Sequence, residues 1–170
     1  MTGFLKLYVR WVDWLSEKVG IAGMTLVVVM IAVLLLDAVT RNVIRMPLHW
    51  CIEFAQFTLA AYYFMGGAMT LKDNNHVRMD LLYDRASERG KHWIDLFTMT
   101  CLIFYLGVLF FGSISSLQYA IATNETRFSI WNPSMIPIKS LMVACIALML
   151  LQSFSLMIKH AAALRGASLT

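Results

Sequence analysis

The sequence predicts an all-α integral membrane protein: four transmembrane helices, an N-terminal amphipathic interfacial helix and a short cytoplasmic interfacial helix. Three observations carry this. Hydrophobic residues make up 59 % of the 170 and charged residues 14 %, against roughly 45–50 % and about 25 % in soluble domains. A chain of this size cannot hide that much apolar surface from water. Second, Val19 to Leu36, Phe54 to Leu71, Leu96 to Asn124 and Ser140 to Ile158 contain no charged residue, each close to or beyond the roughly 20 residues a helix needs to cross a hydrocarbon core of about 30 Å. Third, all five tryptophans (Trp11, Trp14, Trp50, Trp93 and Trp131) stand outside those runs, at the headgroup depth that an apolar ring with one N–H donor prefers.

Taken in order, Phe4, Leu7, Tyr8, Trp11, Trp14 and Leu15 recur at helical spacing, with Lys6, Arg10, Asp13 and Glu17 between them. That pattern predicts a helix over about 3–18 lying on the membrane surface, with Trp11 and Trp14 as anchors. No A-x-A-like cleavage pattern follows the first apolar run, so it is expected as a retained span over about 19–41. The second span covers about 50–71. Asp73, Asn74 and Asn75 then precede Val77, Leu81, Leu82 and Ala86 among basic residues, predicting an interfacial helix over about 76–89. The third span, about 94–118, opens behind Trp93, and the fourth covers about 136–158. Backbone groups cannot go unpaired in lipid, so all four are helical. No linker or repeat divides the chain, and residues 1–170 form a single membrane domain.

Orientation follows from the cations. Lys6, Arg10, Lys18, Lys72, Arg78, Arg85, Arg89, Lys91, Lys159 and Arg165 fall on one side, with Arg41, Arg45 and Arg127 on the other and Lys139 at the edge of the fourth span. The positive-inside rule places both termini in the cytoplasm. The net charge of +4 is scattered between apolar runs, not along a stripe, so no nucleic-acid partner is expected. The lipid bilayer is the partner the composition demands.

Catalytic chemistry finds no footing: no glycine-rich phosphate loop, no HExxH and no carboxylate pair at mid-span occur. Cys51, Cys101 and Cys145 lie in three different helices, which predicts small hydrophobes, not a metal set or a disulfide. Haem ligands would project from the interiors of facing helices, whereas His49, His76, His92 and His160 lie at or beyond span ends. The chain is therefore expected to be no enzyme and to hold no cofactor or metal. Asp37 and Arg41 are four apart and can pair. With Arg45 and Glu53 at similar depth, they are expected to form an ionic cluster tying the first two spans. Gly66–Gly67, Gly107 and Gly112 allow close helix approach, and Gly67, Gly107 and Gly112 are candidates for a packing face.

The order of these signals is informative. Arg41 follows the first span, Trp50 and Glu53 open the second, and Gly66–Gly67 come near its end. Lys72 precedes His76-Val77-Arg78-Met79-Asp80. Ser129, Trp131 and Pro133 lead to Pro137-Ile138-Lys139, and Leu151-Gln152 close the fourth span. This ordered set, over essentially the whole chain, resembles the small membrane subunit (Q subunit, DctQ-like family) of tripartite ATP-independent periplasmic (TRAP) transporters. The resemblance implies a non-catalytic subunit of the bacterial inner membrane. It would scaffold a large, elevator-type M subunit, and a periplasmic substrate-binding protein would deliver an organic acid for sodium-coupled uptake. Sodium and substrate would bind the large subunit, which leaves dicarboxylates, sialic and other sugar acids, keto acids and sulfonates open. Two readings from other classes stand beside it: a membrane anchor of a redox complex, and a free-standing tetraspan carrier.

Overall fold

A computed structural model of the chain describes residues 2–46, 48–73 and 88–164. It is helical nearly throughout: α1 (Thr2–Val39) continues into a π-helical turn (Thr40–Ile44), followed by α2 (His49–Lys72), α3 (Glu88–Thr123) and α4 (Ile136–Leu164). Among the described residues, three helical stretches are long and apolar enough to cross a membrane: Lys6–Ile44, Ile94–Thr123 and Ile136–Ala161. Helix α2 is long enough, but Glu53, Gln56, Thr58, Tyr62, Tyr63 and Thr70 dilute its apolar character.

The expected break between an interfacial helix over 3–18 and a first span over 19–41 is absent. Residues 2–39 are one α-helix. Gly20 is helical and packs against Met69, no proline interrupts the run, and Tyr8, Asp13, Ser16 and Glu17 of its first half have partners on other helices. The interfacial helix expected over 76–89 falls almost wholly outside the described residues, as do His76 and Asp80; residues 88 and 89 belong to α3. Helices α3 and α4 run past the predicted span ends, to Thr123 and Leu164.

Helix α4 is the centre of the assembly, packing against α1, α2 and α3, while α1 pairs with α2 as an antiparallel hairpin. Its most apolar stretch is 39 % buried, against 11 % for α1 and 17 % for α3. At one end Leu71 of α2, Met99 of α3 and Leu156 of α4 form a buried cluster, flanked by Leu102 and Met149. Elsewhere Leu106, Ile146 and Leu148 are buried too, but many inward positions are small or polar: Val12, Ser16, Cys51, Ser113, Gln152 and Ser153 are all buried. Lipid solvates leucine as well as a neighbouring helix does, so close approach and hydrogen bonding hold such a unit, and small residues provide both.

The glycines sort accordingly. A Cβ on Gly20 would lie 2.7 Å from Met69 Cβ, and one on Gly23 would lie 3.1 Å from Met65 Cβ. These two glycines, not singled out from the sequence, set the α1–α2 contact. Gly67 abuts Met149 of α4, so its packing is internal and it cannot belong to an outward face. Gly66, Gly107 and Gly112 face open space. The large side chains instead point outward: Val28, Leu35 and Val39 on α1, and Phe97, Phe104 and Phe111 on α3, are well exposed.

Candidate functional site

The chain's polar chemistry gathers at the two ends of the bundle. The end carrying the N-terminus is built on α1, where Asp13, Ser16 and Glu17 lie within one helical turn of one another. Asp13 Oδ2 accepts from Lys159 Nζ at 2.7 Å and its Oδ1 from Gln152 Nε2 at 2.9 Å. Gln152 is fully buried, and its Oε1 accepts from the equally buried Ser16 hydroxyl at 2.9 Å. Glu17 receives Lys72 Nζ at 2.6 Å, joining α1 to α2. Asp95 and His160 lie 3.5 Å apart and join α3 to α4. All four helices are thus tied at one level. At the end of α2, the hydrogen bond to Glu17 pushes the Lys72 amine above its ordinary value, with partial burial opposing.

At the other end, Asp37 is buried and doubly used. Its Oδ2 accepts from Arg41 Nη2 at 2.9 Å and its Oδ1 from the Leu48 backbone N–H at 3.2 Å. The expected pair therefore forms, and the same carboxylate anchors the entry to α2. Arg45 takes another role. It adopts the left-handed conformation (φ 59°), and its N–H closes the π turn on the Thr40 carbonyl. Glu53 does not join Arg41 or Arg45; its carboxylate accepts from the Ser129 hydroxyl at 2.7 Å. The reason is that the loop from residue 124 to 135 folds back toward α2 and offers a closer donor.

That loop explains several motif positions together. Arg127 N–H donates to the Pro133 carbonyl at 3.0 Å and Met135 N–H to the Glu125 carbonyl at 2.9 Å. Ser129 Oγ also accepts from Asn132 N–H at 3.1 Å. Pro137 stands in the first turn of α4, where its missing N–H costs nothing. Lys139 pairs with Glu125, offsetting a cation at a helix N-terminus. The tip exposes Phe128, Ile130 and Trp131. Trp50 meets Phe54 edge-on, with ring centroids 6.2 Å apart. Trp11 and Trp14 are exposed on α1, and Trp93 lies in the α3 backbone before Ile94.

Asp13, Ser16, Glu17, Glu125 and Ser129 carry much of this architecture, yet their partners lie 14 to 146 residues away in sequence. Among the described residues no three His, Cys, Asp or Glu side chains are grouped so as to hold a metal ion.

The Glu53–Ser129 contact makes a prediction. Glu53→Gln keeps an acceptor for the hydroxyl and should cost less than about 1 kcal/mol, whereas Glu53→Leu should cost about 1–2 kcal/mol. Hydrogen exchange would show the second change as faster opening of residues 125–135, by roughly tenfold. Equal effects of the two substitutions would mean that the charge, not the hydrogen bond, is what matters.

Residues 30–163 match the family described as the DctQ component of tripartite ATP-independent periplasmic transporters. No curated protein matches the chain. The family match begins in the apolar middle of α1 and ends in the last turn of α4, taking in the Asp37 clasp, the folded-back loop and Gln152 on the way; the chain belongs to the DctQ family, the small membrane component of TRAP transporters.

Proposed function

We propose that the chain is a fixed, non-catalytic scaffold for the large M subunit of a TRAP transporter. DctQ is a family of transporter components, not of enzymes. In this reading α1, α2, α3 and α4 all span the bacterial inner membrane, α2 sheltered by its neighbours, with both termini in the cytoplasm. The large subunit binds sodium and an organic acid handed over by a periplasmic binding protein.

One observation supports the reading above others. Asp37, Glu53 and Glu125 are each engaged with Arg41, Ser129 and Lys139 of this same chain, while the broad apolar faces of α1 and α3 are left uncovered. Carrier sites advertise themselves through broken helices near the midplane; here Ile94–Thr123 and Ile136–Ala161 run unbroken. A haem anchor would need histidines facing one another inside the spans, but His49 starts α2 and His160 sits beside Asp95 near the end of α4.

The test is uptake in proteoliposomes holding the large subunit and supplied with the periplasmic protein, with and without this chain. Uptake should fall to background when the chain is omitted. Full-rate uptake without it would overturn the scaffold role. For topology, single cysteines at positions 88 and 127, in a chain with Cys51, Cys101 and Cys145 replaced, should label from opposite sides. Reaction of both with an impermeant reagent outside intact cells would reject the four-span, N-inside arrangement.

A further inference from the structure

Where α1 crosses the ends of α2 and α4, a cleft of about 520 Å3 opens, within the range of about 300–1,000 Å3 typical of ligand sites. Four cations line it (Lys6, Arg10, Lys72 and Lys159) against two carboxylates, Asp13 and Glu17. The two carboxylates are already committed, to Lys159 and Lys72. Lys6 and Arg10, one turn apart on α1, have no carboxylate partner among the described residues. The cleft therefore keeps two positive charges unbalanced, and its natural ligand is an anion.

Position narrows the choice. Helix α1 is about 57 Å long by its 38 residues, nearly twice the roughly 30 Å hydrocarbon core, so its charged first third lies at headgroup depth. Trp14 lines the cleft and is 55 % exposed. Beyond it Ile21 and Val28 follow at seven-residue spacing, both exposed, and so stay on nearly the same face. A polar, cationic cleft thus opens onto an uncovered apolar track running toward the bilayer interior. A free phosphate would use only the first part of this arrangement.

We propose that this cleft binds the phosphodiester headgroup of one anionic phospholipid, its phosphate against Lys6 and Arg10 and its acyl chains along Trp14, Ile21 and Val28. The proposal needs only that the chain sits in a membrane; it does not depend on the scaffold role. Basic pockets between membrane helices bind anionic headgroups through this combination of charge and depth. Lys72 and Lys159, held by Glu17 and Asp13, form the back wall.

The full-length chain in phosphatidylcholine nanodiscs, doped with brominated phosphatidylglycerol or brominated phosphatidylcholine, tests this. The Trp14 emission is taken as the difference from Trp14→Phe. Phosphatidylglycerol should quench it at a roughly tenfold lower mole fraction than phosphatidylcholine. In Lys6→Gln/Arg10→Gln the preference should disappear, with the thermal unfolding temperature unchanged, since neither side chain ties helices together. Equal quenching by the two lipids, or a preference surviving in the double variant, would overturn the proposal. So would abolition of the preference by millimolar inorganic phosphate, which would make the cleft a site for free anions.

Discussion

Gly20→Leu should keep the α1–α2 hairpin from closing properly, at a cost of about 3 kcal/mol or more, a large share of a typical folding margin. The argument is geometric. At Gly20 an added Cβ collides with Met69 Sδ and lies 2.7 Å from Met69 Cβ. The sulfur could swing away, but Met69 Cβ is fixed to the α2 backbone, so the helices must part. Parting them would pull Glu17 from Lys72, three residues along α1. Gly67 is the internal control. There the nearest atoms are Met149 Sδ at 2.8 Å and Cε at 3.0 Å, the mobile end of a flexible side chain. Gly67→Ala should therefore cost well under what Gly20→Ala costs, about 1–3 kcal/mol. Gly66→Ala, with nothing within 4 Å, should stabilise by about 0.5–1 kcal/mol through helix propensity. Unfolding temperature in detergent, read by dye labelling of the buried Cys51 and Cys145, would rank the three. A Gly20→Ala variant as stable as Gly66→Ala would show that the hairpin does not depend on this approach. Truncation in Met69→Ala should relieve part of the Gly20→Ala penalty, since the two residues share one contact.

The contrast between these glycines shows what a linear sequence reveals of such a fold. Three of the spans were legible because lipid imposes a one-dimensional rule, long runs without charge. The Asp37–Arg41 pair was legible because helical geometry puts residues four apart side by side. Of the packing face Gly67 alone is corrected, because small residues look alike until a partner is opposite them: it turns inward against Met149, while Gly107 and Gly112 face open space. Helix α1 was misdivided for a related reason. Its Trp11 and Trp14 face outward, and read locally they make an interfacial helix, but the buried stripe is Val9, Val12, Ser16 and Gly20, too small and polar to register as a hydrophobic face. Its meaning lies in Gln152 and Lys159, far along the chain. Glu53 was paired by depth with Arg41 and Arg45, when a loop more than 70 residues later supplied Ser129. The sequence did contain Gln152 as the one amide inside the fourth span, a position where lipid tolerates such a group only with partners.

Gln152→Leu is expected to destabilise the unit by about 1–3 kcal/mol although it adds apolar surface to an apolar helix. The side chain is fully buried, accepts from Ser16 Oγ and donates to Asp13 Oδ1. Leucine fills similar space but leaves the Ser16 hydroxyl without an acceptor in a site that water does not reach. An orphaned buried donor costs its full desolvation penalty, whereas removing both partners can be nearly neutral. Ser16→Ala alone should cost a similar amount, about 1–3 kcal/mol, because it orphans the buried Gln152 Oε1, yet it should restore much of the loss when added to Gln152→Leu. Asp13→Ala is a change of comparable size, since it removes the acceptor of both Gln152 Nε2 and Lys159 Nζ. A broken buried ion pair costs about 3–5 kcal/mol; with both side chains about one-fifth exposed, about 2 kcal/mol is the expected loss. Because this network joins α1 to α4 while Glu17–Lys72 joins α1 to α2, Asp13→Ala should loosen the first half of α1 without separating α2 from α4. Hydrogen exchange would then rise over residues 6–17 and stay low around Leu156. Exchange rising equally across all four helices would show that the unit opens only as a whole and that the polar ties have no separate domain of action. A double variant no more stable than Gln152→Leu alone would remove Ser16 from the network and place the cost of the amide elsewhere.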